Sequence, residues 1–428
     1  MLQIESAGTA RFRPLIQTFR CFVLTAAAVL TPVASSNGAE WPGWRGPLRN
    51  GVTTDIGVPI EWSESENVFW KSALPGAGTS NPIVWGDSVI VTASEGTDHG
   101  ELHVLCLDQD TGQERWHHQL WGTAPSLFYP HSGMASPSPV TDGRRVFAFF
   151  GTGDVFCFDM EGGLLWQRAL SHEYGRFQNR FAASSSPVLF DGKLIIQCDH
   201  YGDSYVIALN PETGANLWKI DRSETWHSWS SPQIMKSDGG HELILSGSKR
   251  LDAYDPASGE MLWTVGGLAQ ECIPTPVFGH GLLYAVSGPN GHHFAIRPGG
   301  RGDVTDSHVV WKHRRGTSFV PSAIIVNERY YLVDDKGFAR CWSIPAGKEL
   351  WRKRFKGKYT ASPVAADGKL FFVNETGTTL VLDATTPEYV ELDRNEIGED
   401  VLSSPAIAHG RFFLRTAEHL YCIGDNSN

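Results

Sequence analysis

The sequence has no Gly-x-Ser-x-Gly elbow, no His-Glu-x-x-His pair and no phosphate-binding loop. Elbow-based serine hydrolysis, zinc-protease chemistry and nucleotide hydrolysis therefore have no motif to build on. It also lacks a basic stripe. Lys and Arg number 36 against 47 Asp and Glu, for a formal charge of −11. A nucleic-acid partner is excluded, because nothing would neutralise a row of phosphates. The one short basic cluster, Lys353–Lys358, reads as a solvated turn beside Trp351. Beyond the first 35 residues no apolar run is long enough to cross a bilayer. Cysteine is scarce, at 7 in 428 residues, and no two are adjacent.

What the chain does have is a repeat of about 45 residues. Each copy opens on Ser-Pro or a variant, runs through three apolar stretches, turns on Asp-x-x-Thr-Gly and ends on Trp. The opening prolines are Pro82, Pro139, Pro187, Pro232, Pro276, Pro321, Pro363 and Pro405. The closing tryptophans are Trp70, Trp116, Trp166, Trp218, Trp263, Trp311 and Trp351, with Leu392 in the remaining place. Trp70 precedes the first opening Pro, and the last copy stops after three strand-like runs. An N-terminal strand near Val68–Ala73 is therefore expected to complete the last unit, which leaves no open edge. The fold read from this pattern is all-β: an eight-bladed β-propeller of four-stranded antiparallel blades, its last blade closed by an N-terminal strand.

The turn residues fit that reading. Gly86-Asp87, Asp142-Gly143, Asp191-Gly192 and Asp367-Gly368 are hairpin signals. Asp108–Gly112, Asn210–Gly214 and Asp255–Gly259 place a side-chain acceptor first and a positive-φ residue last. The Trp four residues on is expected to seal neighbouring blades while its N–H finds a carbonyl.

The leader reads as export. Arg11, Arg13 and Arg20 precede an apolar run from Cys21 to Ala34, followed by small residues with cleavage expected after Ser35 or Ala39. The expected organisation is a signal peptide over 1–35, an extension over 36–66 and the propeller over 67–428. The chain is not transmembrane once the signal is removed. Cys106, Cys157, Cys341 and Cys422 share one repeat position that Ala208, Ala253 and Ala295 fill elsewhere. Small buried thiols are expected there, and the same holds for Cys198 and Cys272.

The Asp-x-x-Thr-Gly-x-x-x-Trp repeat resembles the PQQ-type propeller repeat of quinoprotein alcohol dehydrogenases. The BamB lipoprotein shares that repeat and fold and binds no quinone. The resemblance spans about Asn67 to Gly424. The run Trp41–Val52 resembles the lead-in of secreted bacterial propellers, many from planctomycetes, described as PQQ-like or BamB-like. Quinoprotein enzymes of this kind hold PQQ over the axis with a calcium or lanthanide ion, and many carry a vicinal Cys-Cys disulfide. This chain has no such pair, and none of their ligand or catalytic positions is carried over. Cys21 follows Arg20 and precedes the apolar run, so the lipid anchor of BamB is not expected either.

The segments leading into each Ser-Pro enter the innermost strands and are rich in polar and aromatic residues. They nominate a channel-mouth ligand site of His131, Arg176, Asn179, Arg180, His227, Glu271, Lys358 and Asp400. Arg180 and His227 lead that set, and Glu271 is its metal or base carboxylate. The pairs His117-His118 and His292-His293 point to opposite faces of a strand and make no shared metal site. Arg297–Val304, which contains Arg-Gly-Asp, reads as a turn.

The function expected is an exported, non-catalytic propeller of the periplasm or cell envelope, monomeric and without cofactor. It would bind an envelope protein or a small polar ligand. The alternatives are a PQQ- and calcium-dependent oxidoreductase and a polysaccharide hydrolase or lyase.

Overall fold

A computed structural model describes residues 39–425 except 125, 129–131, 238 and 289–290. The expected signal peptide and His131 lie outside the described residues. Eight sheets follow one another along the chain. Blade 1 comprises strands Ile83–Trp85, Ser88–Glu95, Glu101–Asp108 and Glu114–Trp121. Blades 2 to 7 occupy 140–169, 188–221, 233–266, 277–313, 324–354 and 364–396. Blade 8 takes three strands from 406–423 and its outermost from Val68–Ala73, paired antiparallel with Lys71 opposite Tyr421. The expected closure by an N-terminal strand is what the ring uses.

The repeat residues each have a place. The small residue of each third strand lies opposite the Trp of the fourth: Cys106 opposite Trp116, Cys157 opposite Trp166, Ala208 opposite Trp218 and Cys422 opposite Trp70. Most of the repeat indoles then reach the turn of the next blade. Trp70 donates to the Gln109 carbonyl at 2.8 Å, Trp116 to Met160 at 2.9 Å, Trp166 to Pro211 at 3.0 Å and Trp311 to Pro345 at 2.9 Å. The turn glycine lies beneath that indole. A Cβ on Gly112 would stand 2.5 Å from Trp70 Cδ2, and φ there is +68°. The Asp-x-x-Thr-Gly turn and the Trp of the preceding blade are thus one packing unit.

Four details depart from the sequence expectation. Asp393, not Leu392, occupies the eighth Trp position, because Val381 pairs with Asp393 before the strand's bulge. Pro321 lies ahead of the equivalent position: the inner strand of blade 6 starts at Ile324, which puts Ser322 and Ala323 where other blades have Ser-Pro. Arg297–Val304 is more than a turn. Gly302–Asp303 pairs in parallel with Trp263–Thr264 of blade 4 and leads into a one-turn helix, Thr305–His308. That insertion displaces the usual turn, and Trp263 donates instead to Glu242 Oε2 in its own blade at 2.8 Å. In blade 7 the turn is Ala-Thr-Thr-Pro-Glu-Tyr; Trp351 packs edge-on against Tyr389 at 5.4 Å and its buried N–H has no partner.

A belt of hydroxyls fixes the inner strands around the axis. The Asn81 amide donates to Ser138 Oγ, Ser138 to Ser186 and Ser186 to Ser231, at 3.0, 3.0 and 2.9 Å. Across the ring, Thr275 donates to Ser322, Ser322 to Ser362 and Ser362 to Ser404, each at 2.9 Å. A Pro after most of these residues has no N–H to satisfy, so the preceding amide and hydroxyl carry the blade-to-blade link.

The lead-in segment closes one end of the ring. Trp41 exchanges backbone hydrogen bonds with Val84 of blade 1, and Pro42 accepts from Thr141 of blade 2. Arg49 donates to Leu189 of blade 3 and accepts from Gln233 of blade 4, both at 2.7 Å. Trp44 donates to Thr275 Oγ1 beside blade 5 at 3.0 Å, and Arg45 to the Ala323 carbonyl beside blade 6 at 2.6 Å. Ala365 of blade 7 bonds Gly51 and Thr53, and Gly410 of blade 8 donates to Asp55 at 3.0 Å. The segment touches every blade at the ends of the inner strands. The opposite face, built from the segments before each inner strand and from the second hairpin turns, is left open.

Candidate functional site

The channel between the two faces is narrow, about 100 Å³, and is lined by Trp44, Trp229, Ile273, Val320, Leu402 and the Ser and Thr belt. Two larger hollows lie on the open face. The first, about 730 Å³, is lined by Asp98, Leu127, Arg176, Phe177, Asn179, Arg180 and Tyr201 among others. The second, about 550 Å³, is lined by Lys358, Glu375, Thr376, Asp400, Leu402, Thr416 and neighbours. They share no residue, so the nominated set divides in two. Arg176, Asn179 and Arg180 line one hollow; Lys358 and Asp400 line the other.

His227 and Glu271 join the first group through an aromatic box. The His227 ring lies 4.1 Å from Tyr201 and 4.7 Å from Trp229, and Trp229 lies 6.0 Å from Phe181. His227 is fully buried. Its Nε2 stands 3.3 Å from Glu271 Oε1 and 3.4 Å from the Tyr201 hydroxyl, and its Nδ1 has no partner. Trp229 is held by donating to the Ala182 carbonyl at 2.9 Å. Asn179 is an anchor: buried, it donates to the Asp199 carbonyl at 3.0 Å and orients the loop that carries the two arginines. Arg180 stacks on Phe181 at 5.2 Å. No third metal-ligating side chain joins Glu271 and His227 among the described residues; the one group of three close donors there lies on blade 1.

Behind the box, Arg222 is wholly buried between blades 3 and 4. It donates to Asp199 Oδ1 at 3.0 Å, Asp252 Oδ2 at 3.0 Å and the Tyr254 hydroxyl at 2.8 Å. Burial pushes the Asp199 carboxyl up, against the pull of Arg222. The pairing makes this network a rigid support rather than a reactive group.

Residue patterns gave no sign of Tyr201 or Glu375, which enter from second hairpin turns. Both turns are short and polar, and nothing local marks them as facing the axis. Phe181 directly follows Arg180 in the polar and aromatic segment that leads into blade 3.

These features define an eight-bladed propeller with a plugged face and an aromatic, mixed-charge open face. The family model described as "Outer membrane protein assembly factor BamB" matches residues 51–203, 202–337, 302–390 and 343–426, and the chain belongs to that family. The outer membrane protein assembly factor BamB of Yersinia pestis is 23% identical over 374 residues, covering 83% of this chain and 88% of that protein. Among solved structures, BamB from Moraxella catarrhalis superposes with a TM-score of 0.60 at 12% identity, covering 84% of this chain and 98% of that one. Quinohemoprotein alcohol dehydrogenase from Comamonas testosteroni superposes with a TM-score of 0.67 at 13% identity, covering 91% and 81%. The structural likenesses show the shared propeller. Among the described residues no helix is long and apolar enough to cross a membrane.

Proposed function

We propose that the chain is an exported, non-catalytic scaffold of the cell envelope that docks a protein partner on its open face. The observation that carries this reading is the apolar exposure there. Leu127 is 72% exposed, Tyr201 50% and Trp226 49%, with Phe181 beside them. Large aromatics held rigidly at a surface are the usual anchors of protein interfaces. Arg176 and Arg180 flank the patch and supply the polar rim. The family's description as an assembly factor agrees with this role. The plugged face offers no comparable surface, since the lead-in segment covers the ends of the inner strands.

The channel wall offers nothing to hold PQQ within the channel itself. Its lining residues are hydroxyls, Trp and aliphatics. None is a carboxylate to hold a divalent ion, and none is a cation to meet a polyanionic quinone. PQQ with calcium should leave the melting temperature unchanged; a rise would overturn this part of the reading. A small polar ligand has a better place in the second hollow, where Lys358, Glu375 and Asp400 converge.

The docking reading is tested with a photo-crosslinking residue at Tyr201 or Trp226 and, as control, at Leu392 on the outer rim. A discrete envelope-protein adduct from the open-face positions alone, lost when Leu127 and Phe181 become Ser, supports it. Equal labelling from Leu392 refutes it.

A further inference from the structure

Blade 1 carries a cluster that neither hollow uses. Glu95 ends its second strand, Glu101 begins its third, and the two are register partners across the hairpin. His103 lies two residues beyond Glu101 and so projects from the same face. One donor atom from each of the three lies within 4.8 Å of the others. His103 is 3% exposed, whereas the two glutamates remain partly open to solvent.

The outermost strand brings two more side chains to that face. Gln119 pairs with His103 and His117 with Leu105. Gln119 Nε2 donates to Glu101 Oε2 at 3.0 Å. His103 Nδ1 lies 3.0 Å from His117 Nε2, and His117 Nδ1 lies 3.4 Å from Glu114 Oε2. With both rings neutral, one of the two possible proton arrangements serves Glu114 as well as the bond between the rings. His117 directs its Nδ1–H toward the Glu114 carboxylate, and its Nε2 accepts the Nδ1–H of His103.

That arrangement leaves a bare lone pair on His103 Nε2. The atom is buried, has no hydrogen-bond partner and faces Glu95 Oε1 at 3.6 Å. A nitrogen lone pair set against two carboxylates is repulsive unless a cation sits between them.

We propose that Glu95, Glu101 and His103 bind a divalent transition-metal ion of the zinc class. One imidazole nitrogen and two carboxylate oxygens suit zinc, with water completing the shell. His117 orients the ligating ring through its other nitrogen, and Gln119 orients Glu101, as supporting residues do in metal sites. The partly exposed glutamates give the ion an entry path. The bound ion would tie the hairpin that carries Asp98, which lines the first hollow, to the body of blade 1.

The test uses the full exported chain, stripped with chelator, titrated with Zn²⁺ by calorimetry and with Co²⁺ by visible absorption. The expected result is one equivalent bound. Glu101→Gln, at a solvent-facing position with no change in metal-free melting, should weaken binding at least ~10-fold. His117→Ala should weaken it by about 10- to 100-fold without removing a ligand. His292→Ala, on blade 5, should leave it unchanged. No binding, or binding indifferent to Glu95→Gln and Glu101→Gln, overturns the assignment.

Discussion

The Trp44 indole donates to Thr275 Oγ1 at 3.0 Å across 231 residues of sequence, and so pins the lead-in segment to the channel wall. The same segment bonds every blade, which makes it the hub of the ring. Trp44→Ala should cost about 3 kcal/mol, the lower end of Trp-to-Ala losses at packed sites, because its ring is only partly buried. Deleting residues 39–58 should cost more, since it also removes the bonds to the other seven blades. Urea denaturation of the three chains checks the order. Equal midpoints would mean the segment merely covers the ring.

Gly112 and Gly192 separate two contributions to the seam. Their φ angles are +68° and +67°, so an added methyl strains both backbones alike. A Cβ on Gly192 meets nothing within 4 Å, whereas one on Gly112 meets Trp70 at 2.5 Å. Gly192→Ala should cost about 1 kcal/mol and Gly112→Ala about 2–4 kcal/mol. The difference, read from denaturant midpoints, measures the contact that closes blade 8 onto blade 1.

The blade count was legible because nearly every copy carries the same two constraints: a Trp needing a turn to pack on, and a Ser, Thr or Asn whose amide needs the next hydroxyl. Where a copy lacks one constraint, its register is not marked in the sequence. Without a Trp, the position of Asp393 could not be told from that of Leu392, because the strand's bulge is invisible in sequence. Pro321 misled because Ser322 holds the belt position without a Pro after it. The open face was half legible. Arg176, Asn179, Arg180, His227 and Glu271 do gather around one hollow, yet Lys358 and Asp400 belong to another, since residues at one height in the ring can face different blades. His103 escaped notice because its partners Glu95, Glu101 and His117 come from three strands, and no fixed spacing joins them. The route of the lead-in segment rests on main-chain bonds, which sequence does not display.

The six cysteines among the described residues are unpaired and buried. Burial pushes the Cys106 thiol up to about 11 and those of Cys157, Cys341 and Cys422 up to about 12; Cys198 and Cys272 are raised further. Thiolate, the reactive form, is therefore negligible near neutral pH. None of the six should react with a thiol reagent at pH 8 in the native state. All should react in denaturant without added reductant. A shortfall in denaturant would reveal a disulfide.

Acid should open the ring at the seam where its two ends meet. Glu399 accepts from Lys71 at 2.6 Å, Tyr421 at 2.7 Å, Thr416 at 2.5 Å and His419 at 3.0 Å. Burial alone would raise its pKa, but these bonds outweigh it and bring the carboxyl down to about 2. Its folded pKa lies below the unfolded value, so the stability it contributes is present above about pH 4.5 and is lost as pH falls toward 2. That contribution, discounted for the pair's partial exposure to solvent, is on the order of 1–2 kcal/mol. Lys71 stands on the closing strand Val68–Ala73, so protonation of Glu399 frees one of that strand's anchors. Stability measured by urea between pH 6 and pH 2.5 should fall more steeply for the native chain than for Glu399→Gln. Hydrogen exchange should report the loss first in residues 68–73. Parallel pH profiles for the two chains would rule out Glu399 as the acid-sensitive group.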